Sequence, residues 1–98
     1  MFSWDPAKAE RNLRKHKISF REAAAAFSDP AAVDGPDEKH SPIEERRVLV
    51  GRVADDLVVA VVYTRRASHE ATTTRIISAR PASSKERKAY DRERAPDP

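Results

Sequence analysis

The run Leu57–Tyr63, LVVAVVY, constrains the fold most. It is apolar at every position except the tyrosine hydroxyl, so it has no face to turn to water. A β-branched run of this length reads as the central strand of a sheet, covered by helices. Apolar residues make up only 39% of the 98-residue chain, against 36% charged. One thin core is all such a chain can build.

The rest of the chain arranges itself around that strand. Phe2–Trp4 reads as a short edge strand. Asp5-Pro6 opens a helix, because Asp caps free N–H groups and Pro suits the first helical position. That helix is expected to reach Lys15 or His16. Ser19 to Glu22 forms a capping box for a second helix over Phe20–Phe27, stopped by Ser28-Asp29-Pro30. Residues 31–43 are turn-rich and acidic, with a short strand around Ala32–Asp34 and a loop holding Pro36 and Pro42. Arg46–Val53 alternates as a strand, with Val48 and Val50 opposite Arg47, Leu49 and Val53. Ala54-Asp55-Asp56 is a tight hairpin connection. Residues 65–72 form a polar loop, and Thr73–Ala79 is the last strand. Ser83 to Glu86 is another capping box, opening a helix to about Arg94. The expected order is β-α-α-β-β-β-β-α, an α+β layer with two N-terminal helices and one C-terminal helix on an antiparallel sheet. Residues 1–94 form one domain, and 95–98 a disordered tail.

Charge divides the chain into three. Residues 1–27 hold six basic and three acidic side chains, 28–56 four and eight, and 57–94 nine and four. The two basic ends are expected to form one positive face. Arginines outnumber lysines 13 to 6, which suits bidentate phosphate recognition. Cysteine is absent, which removes disulfides and thiolate metal sites. His40 and His69 sit in polar loops, and the three histidines lack metal-ligand spacing, so no metal or other cofactor is expected. The two glycines make no phosphate loop, which argues against nucleotide hydrolysis. Without a signal peptide or a membrane-length apolar run, the expected location is the cytoplasm.

Several side chains could carry chemistry on a nucleic acid. Arg80 ends an apolar strand just before a basic helix. It could steady a scissile phosphate, or it could form a salt bridge with Glu86. Alternation groups Arg80 with Ile76 and Ser78, and Arg75 with Thr73 and Ile77. Glu45 could be a base with Arg46 as its orienting or phosphate-binding neighbour, or the two could be a solvated hairpin pair. His16 sits at a helix C-terminus, where the dipole favours the protonated form. It could donate a proton to a leaving group or simply end the helix. Lys8 and Lys15 lie two helical turns apart, with Asn12 between, as a polar stripe. Trp4 and Tyr63 read as core. Tyr90 could stack on a base or pack its helix on the sheet.

An ordered set of residues resembles the BrnT family, the toxin half of bacterial type II toxin–antitoxin pairs. It comprises Trp4-Asp5, Lys8, Asn12, Lys15-His16, Ile18, Phe20, Phe27, Asp29-Pro30, Glu45-Arg46, Gly51 and Val62-Tyr63-Thr64, and closes with RIISAR (Arg75–Arg80), Ala82, Glu86-Arg87 and Tyr90. Two departures stand out: Lys17 stands where the family usually has Gly, and the loop Ala67–Thr72 is longer than usual. The resemblance implies a RelE-like fold and a metal-independent endoribonuclease acting through the 2′-hydroxyl of RNA. Arg80, Glu45, Arg46, His16 and Lys8 would be catalytic, and Lys15, Arg75, Arg87 and Tyr90 RNA-binding. It also implies a BrnA-type ribbon-helix-helix antitoxin, expected in a 2:2 complex that binds operator DNA through the antitoxin. A weak homodimer could form through apolar surface left by the short helices. The alternative is a non-catalytic RNA-binding module, or a degenerate toxin acting as transcriptional co-repressor.

Overall fold

The computed structural model describes residues 1–37, 45–67 and 69–94. Five strands, β1 (Phe2–Ser3), β2 (Val33–Pro36), β3 (Arg47–Ala54), β4 (Leu57–Ala67) and β5 (Thr72–Pro81), join three helices, α1 (Pro6–His16), α2 (Phe20–Ala24) and α3 (Ser84–Arg94). The strand order is β1-β5-β4-β3-β2, with β4 at the centre. The expected element order and α+β class hold.

The sheet is mixed rather than antiparallel, because β1 runs parallel to β5. The cause is local. β1 leads directly into α1, which covers the next stretch of the β5 edge, so the chain must travel in the direction of β5. Several other boundaries differ from expectation. The second helix is α-helical only to Ala24 and tightens into a 3-10 turn over Ala25–Ser28. β2 sits slightly later than expected and takes in Pro36, which an edge strand tolerates because its missing N–H faces no partner. β4 and β5 both run into the residues expected to be loop. Pro42, His40 and the tail 95–98 lie outside the described residues.

The caps form as the sequence dictates. Asp5 accepts a hydrogen bond from the Ala7 N–H at 2.8 Å. Ser19 and Glu22 exchange both bonds of the capping box, at 2.9 and 3.1 Å.

Each face of the sheet carries its own core. Ile18, Phe20, Ala23 and Ala26 from the α1–α2 layer bury Leu49, Val59, Val61, Tyr63, Ile76 and Ala79. Trp4 packs edge-on against Phe20 at 6.0 Å, and Phe27 against Tyr63 at 4.9 Å. On the opposite face, Tyr90 of α3 packs with Val50, Val58 and Ala60. α3 therefore shields the β3 side of this face at one end. Among the described residues, no other element covers the rest of this face.

Candidate functional site

Arg75 and Arg80 are five residues apart, so strict alternation would put them on opposite faces. They share a face because β5 contains a bulge. Val62 pairs with Ser78, yet Tyr63 pairs with Ile76, which leaves Ile77 as an extra residue. Such an insertion inverts alternation beyond it. Arg75 then pairs with Thr64, and Arg80 with Ala60. Thr64, Val62 and Ala60 lie on one face of β4, so Arg75, Ser78 and Arg80 line the open face together. This corrects the grouping that alternation predicts. Ile76 turns the other way and is 1% exposed in the α1–α2 core.

Arg80 is not a free cation. Its guanidinium donates to both oxygens of Glu86, at 2.6 and 2.9 Å. Glu86 also accepts from the Ser83 N–H at 2.8 Å, closing the capping box that begins α3. The Arg80 guanidinium, aided by that N–H, holds the Glu86 carboxyl down at about 2. Of the two roles open to Arg80, the salt bridge is formed. The Arg80 side chain still leaves 38% of its surface to solvent, so a substrate phosphate can reach it from the open face.

Round the β5 edge lies a groove of about 320 Å³, lined by Lys8, Arg11, Asn12, Lys15 and His16 of α1 and by Ile77 and Ser78. Lys8 and Lys15 are exposed, and His16 is half-buried. Asn12 is different in kind. It is 7% exposed, donates to the Ile18 carbonyl and accepts from the Ala79 N–H, both at 3.0 Å. It thus fastens α1 to a strand edge that β1 is too short to cover. Ser78 borders both the groove and the open face. It joins the α1 cations to the β5 arginines in one continuous surface.

Glu45 is exposed just before β3, and Arg46 beside it is half-buried. Continuing the β3 register places Arg46 on the side of Val48, level with Thr64 and Arg75. Arg87 is exposed on α3. Tyr90 must be withdrawn from the RNA-binding set. It is 2% exposed, and its hydroxyl donates to Asp29 at 2.6 Å. Asp29 also accepts from the N–H groups of Arg52, at 2.8 Å, and Ala31, at 2.9 Å. Burial alone would raise the Asp29 carboxyl, but these donors outweigh it and the net direction is downward. Tyr90 is pushed up, first by burial and then by its bond to Asp29. The sequence shows Asp29-Pro30 only as a helix stop. Its second role, as an anchor for α3, has no local signature. Alternation already groups Ser78 with Arg80, but its place beside Arg75 depends on the bulge.

Among the described residues, no three His, Cys, Asp or Glu side chains gather as metal ligands. The open surface offers cations to bind a phosphodiester, hydroxyls to hydrogen-bond it, and a carboxylate and an imidazole at its borders.

The sequence family described as "Ribonuclease toxin, BrnT, of type II toxin-antitoxin system" matches residues 4–86. The fold is similar to the crystal structure of the Brucella abortus ribonuclease toxin BrnT, with a TM-score of 0.65 and 25% identity. The similarity covers 85% of this chain and 97% of that one. No curated protein shows significant sequence similarity to the chain. The match takes in α1, the bulged strand with its arginines, and the first turn of α3, so the chain belongs to the BrnT family of ribonuclease toxins from type II toxin–antitoxin systems.

Proposed function

We propose that this protein is an endoribonuclease that cleaves RNA through the substrate's own 2′-hydroxyl, without a metal ion. A base removes the 2′-hydroxyl proton as that oxygen attacks phosphorus. The phosphorane collapses to a 2′,3′-cyclic phosphate, and the departing 5′-oxygen takes up a proton. Arg80 grips the phosphoryl oxygens, where a preorganised cation is worth most in the transition state, and Arg75, further along the same face, binds the adjoining backbone. Glu45 is the base, oriented by Arg46. His16 protonates the 5′-oxygen, with Lys8 beside it. Lys15 and Arg87 bind the flanking backbone. The observation that carries this reading is the β5 bulge, which brings Arg75 into line with Arg80 beside the α1 groove.

A BrnA-type ribbon-helix-helix antitoxin completes the reading. It would cover the cationic face and supply the operator-binding surface. A second reading, a degenerate toxin kept as a co-repressor, draws on one fact: Glu86 already neutralises Arg80.

Incubation of antitoxin-free protein with RNA in EDTA tests the two. The enzyme reading expects fragments with cyclic or 3′-phosphate ends and 5′-hydroxyls. Arg80→Ala should lower the rate by about 10²–10³ while the fold persists. Activity that needs added Mg²⁺ would sink the metal-free mechanism. An inert protein whose antitoxin complex still binds operator DNA would favour the co-repressor.

A further inference from the structure

β4 does not end where β3 begins. The first residue of β3, Arg47, pairs with Tyr63, but β4 continues to Ala67 and β5 matches it back to Thr72. β1 reaches this region only at Thr74 and Arg75. Among the described residues, the outermost pairs, Arg66 with Thr73 and Ala67 with Thr72, have no third strand. They form a two-stranded arm. Apart from Ala67 its residues are polar, and Arg65, Arg66, Ala67 and Thr72 are exposed. The arm adds nothing to either core, so stability does not explain it.

Alternation separates its arginines. Arg65 lies on the face of Tyr63, with its guanidinium 5.6 Å from the centre of that ring. Arg66 lies on the other face, with Thr64, Thr73 and Arg75. It is exposed and has no ion pair or hydrogen bond among the described residues. Arg66 and Arg75 are diagonal cross-strand neighbours, with backbones about 7–8 Å apart. Neighbouring phosphates of a single strand have comparable spacing. Because of the bulge, Arg80 lies further along the same face. Three arginines therefore mark one track from the arm to α3. Between Arg66 and Arg75 the face offers threonines and no large apolar side chain. That chemistry suits a phosphate backbone and not the apolar centre of a protein interface.

We propose that the arm is a second RNA contact, in which Arg66 holds a phosphate outside the cleaved linkage. The proposal rests on the ribonuclease reading above and extends it to longer substrates.

The test measures binding of 2′-O-methyl RNA, which cannot be cut through its 2′-oxygen. A dinucleotide, with its single phosphate, is compared with a strand of about twelve nucleotides, a length within the range such sites span. Arg66→Ala should weaken the longer strand about fivefold and reduce the slope of log K against log salt by about 0.7. The dinucleotide should change far less, and Arg66→Lys should restore most of the slope. Unaltered thermal unfolding confirms the variants are folded. Equal losses at both lengths, or none at either, overturn the proposal. So does normal binding of long RNA coupled with weakened capture of the antitoxin, which would assign the arm to the protein partner. Because binding is read without cleavage, a length-dependent Arg66 effect beside an absence of cleavage in ordinary RNA would reject the enzyme and keep the arm.

Discussion

Lys17 carries the only positive φ outside glycine among the described residues, at 62°. Its N–H closes the last turn of α1 on the Leu13 carbonyl at 2.9 Å. A side chain in this left-handed conformation costs about 1 kcal/mol, which glycine avoids. Glycine gives part of that back through greater freedom when unfolded. Lys17→Gly should therefore raise stability by about 0.5 kcal/mol, read as a higher urea midpoint with unchanged m-value. A lower midpoint would show that the Lys17 side chain contributes more than its backbone costs. The Arg80–Glu86 pair makes a pH prediction. The Glu86 carboxyl falls from an ordinary 4.5 to about 2 on folding. Its contribution is complete above the unfolded value, declines as pH falls from about 4.5, and is gone below about 2. The stability gap between the native protein and Glu86→Gln should thus narrow between those limits. Urea midpoints at a series of pH values check this, and a constant gap would disprove it.

At the scale of elements, β5 does most to make the site. Its bulge sends Ile76 into one core and keeps Arg75 with Ser78 and Arg80 on the other face. The N-terminal helices depend on close packing. A Cβ on Gly51 would stand 2.8 Å from the Ala26 carbonyl oxygen, so β3 and the 3-10 turn meet where only glycine fits. That contact helps explain why the second helix tightens after Ala24 instead of continuing to Phe27. The helix periodicity of Phe20, Ala23, Ala24 and Phe27 was legible, since local contacts set it. The break was not, because it answers to a strand met only in the tertiary fold.

For the whole molecule, the charge segregation of the sequence becomes geometry. Ser78 lines the groove with the α1 cations and shares a sheet face with Arg75 and Arg80, and a toxin with such a surface must be silenced in its host. A ribbon-helix-helix antitoxin is an obligate dimer, so we expect two copies of this 11.0 kDa chain on one antitoxin dimer. Light scattering of the co-expressed pair should give the mass of a 2:2 assembly, and the free toxin should be a monomer or weak dimer. A toxin that never co-purifies with its genomic neighbour would leave the antitoxin reading without support.

The sequence by itself determined most of the elements and their order along the chain. Caps, turn residues and apolar periodicity are local signals, and they placed α1, the capping box at Ser19, the central position of LVVAVVY and the C-terminal helix. It also marked Lys8, Lys15, His16, Arg75 and Arg80 as the residues to follow. Only the tertiary structure decided which of these share a surface. A single inserted residue in β5 reverses the side-chain alternation, and nothing in the local sequence reports where the partner strand sets its register. Burial likewise settled Tyr90 and Asn12. A polar side chain on a helix looks the same in sequence whether it faces solvent or a strand edge, and its role follows from what packs against it.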